Sequence, residues 1–215
     1  VGGSWLRVLG EAEKLQRPLR FTAHPEVVGL SEHGTVATQD RVAWRSAVCG
    51  GHEMRRGRHY ATFTLRSSGG ALLGVVGAGF DTTTSGMACN SLQGWGIHTY
   101  DGRLCHDGNF HHLRSHWEGQ PNHLKEGDVV VRLPLPCPRA AMLTLLLAAQ
   151  GLLLDLDAAT LTVWVNGERK GVAIRPGMTA AEGEPVGRLE GPLRWAVDLH
   201  AGASVAVAGP LPPPS

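Results

Sequence analysis

An all-β fold, an antiparallel two-sheet β-sandwich, is what this sequence predicts. Three observations carry the prediction. Gly is 29 of 215 residues and Pro 13, a glycine share about twice the usual, which disfavours helix bundles and suits short strands joined by tight turns. Short apolar stretches recur between turn signals, and several alternate with period two. Asn166-Gly167 and Asp101-Gly102 are two-residue hairpin signals, since both turn positions must tolerate positive φ.

The elements follow in order. Residues 1–18 form a mixed leader in which Trp5, Val8, Leu9, Ala12 and Leu15 could share one helical stripe. Residues 19–23 suit a short strand. Residues 27–37 read as strand, Gly34 turn, strand, and 42–48 are another apolar stretch holding Trp44. In 57–65, Tyr60, Thr62 and Thr64 alternate with Ala61, Phe63 and Leu65, the period of a half-buried strand. Residues 71–80 are apolar and glycine-rich, and glycines in such a strand mark close backbone approach. Residues 94–98 and 104–106 flank the Asp101-Gly102 turn. Residues 129–131, 153–157, 160–165, 171–174, 193–197 and 204–208 supply the remaining strands, roughly ten in all. Residues 209–215 are a Pro-rich tail or linker. Trp95, Tyr60 and Trp164 are large apolar bodies with one polar handle each, suited to the space between two sheets.

One stretch departs from this pattern. Residues 132–151, RLPLPCPRAAMLTLLLAAQG, interrupt the strands. Pro134, Pro136 and Pro138 cannot sit in a central strand, and 140–149 have helix-forming composition. They read as an insertion, either a covering helix, an exposed docking segment or a gene-model artefact.

Composition excludes several function classes. Twenty Lys+Arg against nineteen Asp+Glu leave a formal charge of +1, which gives no electrostatic case for nucleic acid or an anionic membrane, since both need a concentrated basic face. Hydrophobic residues at 42% allow burial of roughly 70% of the unfolded surface at this length. The four cysteines, Cys49, Cys89, Cys105 and Cys137, form no CxxC pair and are too sparse for a disulfide scaffold. Buried thiols in an intracellular, reducing compartment are expected, with no signal peptide. The chain opens on Val1, the start expected of a domain within a larger chain.

Ordered motifs add a more specific signal. Gly57-Arg58-His59-Tyr60 opens a strand. Gly94-Trp95-Gly96 precedes Asp101-Gly102. Glu126-Gly127-Asp128-Val129 marks a turn. Leu154-Asp155-Leu156-Asp157, Thr160-Leu161, Asn166-Gly167 and Gly171-Val172-Ala173 follow in register. Together these blocks resemble the SPRY domain family, over about residues 19–207. Upstream, Leu19-Arg20-Phe21 and residues 30–36 are similar to its PRY half. The resemblance implies a concanavalin-like jelly-roll sandwich over 19–208. It also implies a non-catalytic module, monomeric within a larger protein such as a ubiquitin ligase, that binds a peptide or protein surface through loops at one end. No cofactor and no catalytic residue are implied. The family's peptide pocket falls on residues 45–50, 83–87 and 200–202. Its usual Tyr lands near Thr84 and its usual Trp near Ala201, so neither aromatic anchor is present. The partner-binding residues expected on this basis are Arg45, Thr84, Met87, Asn90, Tyr100, Asp101 and Ala201.

Two rivals come from other classes. His106, His111, His112, His116 and His123 cluster near Asp107 and Glu118, and imidazoles with carboxylates can hold Zn or Ni. A metal-binding protein or metal-dependent enzyme using the 106–123 loop is the first rival, although the spacing matches no structural zinc pattern and lacks HExxH. A lectin-like carbohydrate binder is the second, without an evident Asp/Asn calcium cluster. No GxSxG elbow or phosphate loop occurs. Cys105 and His106 are neighbours on one strand and must face opposite ways, so they cannot form a dyad.

Overall fold

The computed structural model describes residues 16–24, 26–67, 69–83, 86–108, 117, 119–120, 149–179 and 185–212. Within them, twelve strands run β1 Gly29–Ser31, β2 Val36–Gln39, β3 Arg45–Val48, β4 Arg58–Leu65, β5 Ala71–Gly77, β6 Gly94–His98, β7 Leu104–His106, β8 Ala149–Asp155, β9 Thr160–Val165, β10 Glu168–Ile174, β11 Leu193–Leu199 and β12 Ala203–Leu211. The helical elements among the described residues are two 3-10 turns, Glu32–Gly34 and Ala88–Asn90. No helix there is long and apolar enough to cross a membrane. The strands form a seven-stranded sheet, β1-β2-β12-β4-β8-β9-β10, and a five-stranded sheet, β3-β11-β5-β6-β7. Every pairing is antiparallel.

Period-two alternation builds the core. Ala61, Phe63 and Leu65 of β4, Leu152 and Leu154 of β8, and Leu161 and Val163 of β9 line the inner face of the larger sheet. Leu73 and Val75 of β5, Trp95 and Ile97 of β6, and Trp195, Val197 and Leu199 of β11 answer from the smaller one. Phe63 and Trp195 meet across the two layers, edge to face at 5.9 Å, the geometry aromatic quadrupoles favour.

One of the two hairpin signals closes as the sequence predicts; the other, Asp101-Gly102, lies in a five-residue connection, 99–103, between β6 and β7, with Gly102 at φ of 66° and Asp101 outside the positive-φ region. Asn166 and Gly167 take φ of 52° and 81°, closing the β9–β10 hairpin as a type I′ turn. The Leu154–Asp157 block is held by its carboxylates. Asp155 Oδ1 accepts from the backbone N–H of Asp157 at 3.1 Å and of Ala158 at 2.9 Å. Asp157 Oδ1 accepts from Gly57 N–H at 3.1 Å, tying this turn to the start of β4.

Four expectations are corrected. Tyr60 and Trp164 do not lie between the sheets. They occupy the outer face of the larger sheet, edge to face at 5.9 Å, over Gly151, where a Cβ would come within 2.1 Å of the Tyr60 hydroxyl. Strand parity dictates this, because Ala61 and Leu161 with Val163 point inward. Residues 149–151 are strand rather than insertion, since Ala149, Gln150 and Gly151 pair with Thr64, Phe63 and Thr62. Strand β12 extends to Leu211, which pairs with Tyr60 across a register shift, so the Pro-rich tail starts later than residue 209. Pro210 is accommodated at that bulge, where no ladder N–H is required. Finally, residues 45–48 are a buried strand and not a loop, hydrogen-bonded to β11. The helical stripe from Trp5 to Leu15 within the 1–18 leader, the Glu126-Gly127-Asp128-Val129 turn and the rest of the 132–151 stretch lie outside the described residues.

Candidate functional site

The outer face of the five-stranded sheet carries chemistry that the apolar inner face excludes. Along β6, Trp95 and Ile97 point inward, so Gly94, Gly96 and His98 face out. The two glycines let the Ala88–Asn90 turn settle on the sheet. A Cβ on Gly94 would lie 1.8 Å from the Ala88 carbonyl oxygen, and one on Gly96 would be 3.3 Å from Cys89 Cβ. Under that turn sits Asp198 of β11, 3% exposed. Its Oδ1 accepts from Ser46 Oγ at 2.5 Å and from Ala88 N–H at 2.7 Å, and its Oδ2 accepts from Cys89 N–H at 3.1 Å. Burial raises the Asp198 pKa above the ordinary carboxylate value, against the opposing pull of these donors. The network fixes the turn to the sheet.

At one end of this sheet, rings from distant parts of the chain converge. Trp44 directly precedes β3, His98 ends β6 and His200 follows β11. Pairing of Arg45 with Leu199, Leu199 with Ala71, and Leu72 with His98 sets these strand ends side by side. Trp44 lies 5.0 Å from His200 and 6.4 Å from His98 between ring centroids. His98 lies 6.4 Å from Tyr100. Trp44 also packs on a buried cluster of Leu72, Met87, Cys89 and Cys105.

Buried polar groups hold the loops that present these rings. Gln39, fully buried, donates from Nε2 to the Ala43 carbonyl at 3.1 Å and accepts from Arg41 N–H at 3.2 Å, which shapes the segment leading to Trp44. Asp101 pairs with His98 Nδ1 at 3.0 Å and accepts from Arg103, through its backbone N–H at 3.1 Å and its guanidinium Nε. Burial opposes ionisation of Asp101, but the Arg103 backbone bond and the His98 and Arg103 charges prevail and lower its pKa. Trp117, buried, donates from Nε1 to the Gly102 carbonyl at 2.8 Å and props this turn from below. Tyr100 and Val42 are largely exposed, at 65% and 85%.

Of the residues expected from sequence, several meet here. Exposed Tyr100 and half-buried Asp101 share one turn, Ala201 directly follows His200, and Met87 lies buried beneath Trp44. Arg45 is half-buried at the start of β3, its Nη1 donating to the Trp44 carbonyl at 2.8 Å. Asn90 is exposed at the end of the 3-10 turn, and Thr84 lies outside the described residues. His200 belongs to the expected 200–202 segment, whereas Trp44 and His98 are not among the residues the sequence points to. Each of the three stands at or beside the end of an observed strand, and the strand order brings those ends together.

The His-rich rival loses one ligand. His106 is buried, stacked on Trp95 at 4.8 Å and 7°. Its Nδ1 engages the Gly94 carbonyl at 2.7 Å and its Nε2 accepts from Gly187 N–H at 3.3 Å, so both nitrogens serve the core. His111, His112, His116 and His123 lie outside the described residues. Among the described residues no three His, Cys, Asp or Glu side chains gather to hold a metal ion. Cys105 points to the outer face, towards Cys89, opposite to His106.

No family model matches the sequence, and no curated protein matches it. Solved structures do. The SPRY domain of human HERC1 superposes with a TM-score of 0.53 at 17% identity, over 87% of this chain and 96% of that one. The TRIM65 PSpry domain gives a TM-score of 0.53 at 14% identity, over 95% of this chain and 99% of that one. The chain has a SPRY-like fold, and at these identities the fold is what the proteins share.

Proposed function

We propose that this chain is a non-catalytic protein-interaction module that binds a peptide or protein surface through the loops around Trp44, His98, Tyr100, Asp101 and His200. The single observation behind this reading is the convergence of those rings on one end of a rigid sandwich, with Tyr100 65% exposed. Aromatic side chains bring large contact area at low entropic cost and dominate interface energetics. A rigid scaffold lets loops of this kind carry specificity. The fold shared with two SPRY domains supports the same reading, as does a charge of +1, which favours neither nucleic acid nor membrane. We place the module in a larger intracellular chain, for which a ubiquitin ligase is one setting, with this domain choosing the substrate. Free, buried Cys49, Cys89 and Cys105 fit a reducing compartment.

Affinity capture with the wild-type chain and with a Val42→Ser/Tyr100→Ser variant tests the site. Both residues are largely exposed, so the fold is retained. Loss of about thirtyfold in capture of a given partner is expected, the ~2 kcal/mol of one interface hot spot. Glu168→Gln, on the edge strand β10 of the other sheet, should leave capture unchanged. An unaltered partner set in the double variant refutes the assignment.

A further inference from the structure

We infer that Cys89 and Cys105 are a modification site, a thiol pair that a hydroperoxide converts into an intramolecular disulfide fastening the Ala88–Asn90 turn to strand β7. The two residues are 16 positions apart, yet their sulfurs stand 2.7 Å from each other, with Cys105 Sγ donating to Cys89 Sγ. A disulfide needs about 2.05 Å, so bond formation asks for less than ~1 Å of travel and no rearrangement of the sheet. The third described cysteine, Cys49, is a contrast. It is buried in the main core with Leu19 and Trp195, and burial alone pushes its thiol above the ordinary range.

Both sulfur-bearing residues are about 1% exposed, so the closed turn shields them. Access requires the turn to lift from Asp198, whose carboxylate holds Ala88 and Cys89 N–H. Local openings of this kind occur in native proteins at less than the cost of global unfolding. In the closed state the Cys105 contact, burial and the Asp198 charge disfavour a thiolate at Cys89, so ionisation waits for the turn to lift, and Cys105 on strand β7 then serves as the attacking sulfur. Its thiolate attacks one peroxide oxygen, the O–O bond breaks, and the leaving hydroxide or alkoxide takes a proton, which leaves a sulfenic acid. On reclosure the Cys89 sulfur attacks that sulfenic sulfur. The S–S bond forms, the S–O bond breaks, and the hydroxide leaves as water with the Cys89 proton. Two thiols are oxidised, one hydroperoxide is reduced, and a thiol reductant reverses the change.

Cys89 and Cys105 share one packed cluster with Met87 and Trp44. The bond would therefore stiffen the floor beneath the docking rings, a consequence that rests on the proposed function, whereas formation of the bond does not.

The test uses the full chain, native, treated with hydrogen peroxide in the absence of any partner. Thiols titrated after unfolding should fall from four to two. Intact mass should drop by two hydrogens, and a non-reduced digest should hold a Cys89–Cys105 peptide that dithiothreitol removes. Hydrogen exchange of residues 86–91 should slow about tenfold, and Cys105→Ala should abolish both effects. Pairing of either cysteine with Cys49 or Cys137, or peroxide uptake that yields only sulfinic acid, overturns the proposal. Partner capture before and after oxidation then reads the docking consequence separately.

Discussion

His52 offers the sharpest quantitative test of the core. The ring is 4% exposed, and neither Nδ1 nor Nε2 has a hydrogen-bond partner. Its nearest aromatic neighbour is His59, edge on at 5.9 Å. Burial first, and the His59 charge second, lower its pKa from 6.5 to about 4. The native state therefore refuses a proton that the unfolded chain accepts. A depressed basic pKa costs nothing above the unfolded value, and the cost grows as pH falls from about 6.5 towards 4. The full span is about 2.5 pH units, which at about 1.4 kcal/mol per unit amounts to roughly 3.4 kcal/mol. By pH 5 about 2 kcal/mol of it has been lost. His52→Leu keeps a similar volume and removes the titration. At pH 7 the substitution should change stability by no more than about 1 kcal/mol, because the apolar side chain replaces two unpaired polar atoms. At pH 5 the variant should exceed wild type by about 2 kcal/mol. Urea unfolding at both pH values, with equal m-values, measures this directly. Parallel pH profiles for the two proteins would show that His52 is paired or hydrated and would refute the reasoning.

Two further outcomes follow from the outer face of the smaller sheet. Gly94→Ala drives a Cβ to within 1.8 Å of the Ala88 carbonyl oxygen, and backbone cannot yield as a flexible side chain would. It should cost about 3 kcal/mol in chemical unfolding, at the upper end for overpacking, and should speed hydrogen exchange of residues 86–91. Asp198→Ala strands the Cys89 N–H, while Ala88 N–H keeps Ser46 Oγ at 2.8 Å, so a loss of about 1–3 kcal/mol is expected. Because the folded Asp198 pKa is raised above 3.8, its contribution is fully present below that value and is lost as pH rises through the folded value. The deficit of the variant should thus be larger at pH 4 than at pH 7, and unfolding curves at the two pH values check the order.

Local rules made much of the fold legible. Asn166-Gly167 needs no context to be a turn, and the alternation of Tyr60 with Ala61 gave β4 its two faces. Which face meets the other sheet is a different matter. Tyr60 and Trp164 are bulky aromatics like Trp95, and composition alone could not tell that they pack outside, over Gly151. Parity decided it, through the positions of Phe63 and Leu161 on the same strands. The site was less legible for a related reason. Trp44, His98 and His200 are joined by no motif, and their meeting depends on the order β3-β11-β5-β6. The Gly94-Trp95-Gly96 block marked a strand, but its glycines could not reveal the turn they admit.

That block connects core and site. Trp95 fills the inner face while Gly94 and Gly96 keep the outer face low enough for the Ala88–Asn90 turn. The turn brings Met87 and Cys89 against Leu72 and Cys105, and on this cluster Trp44 rests. The rings at the sheet end are thus supported from beneath by packed side chains and from the side by the Gln39 and Asp101 hydrogen bonds. On the function proposed above, a surface held in this way would give up little conformational entropy on binding, so its rings would turn contact area into affinity more fully than a loose loop could. The same arrangement has a cost in polar burial, since Asp198 must stay beneath the turn to hold it. The fold of a module with this interior would accept variation at Val42 and Tyr100 readily, at the expense of binding alone. It would tolerate little at Gly94, Asp198 or Gln39, because those residues set the geometry that the exposed rings present.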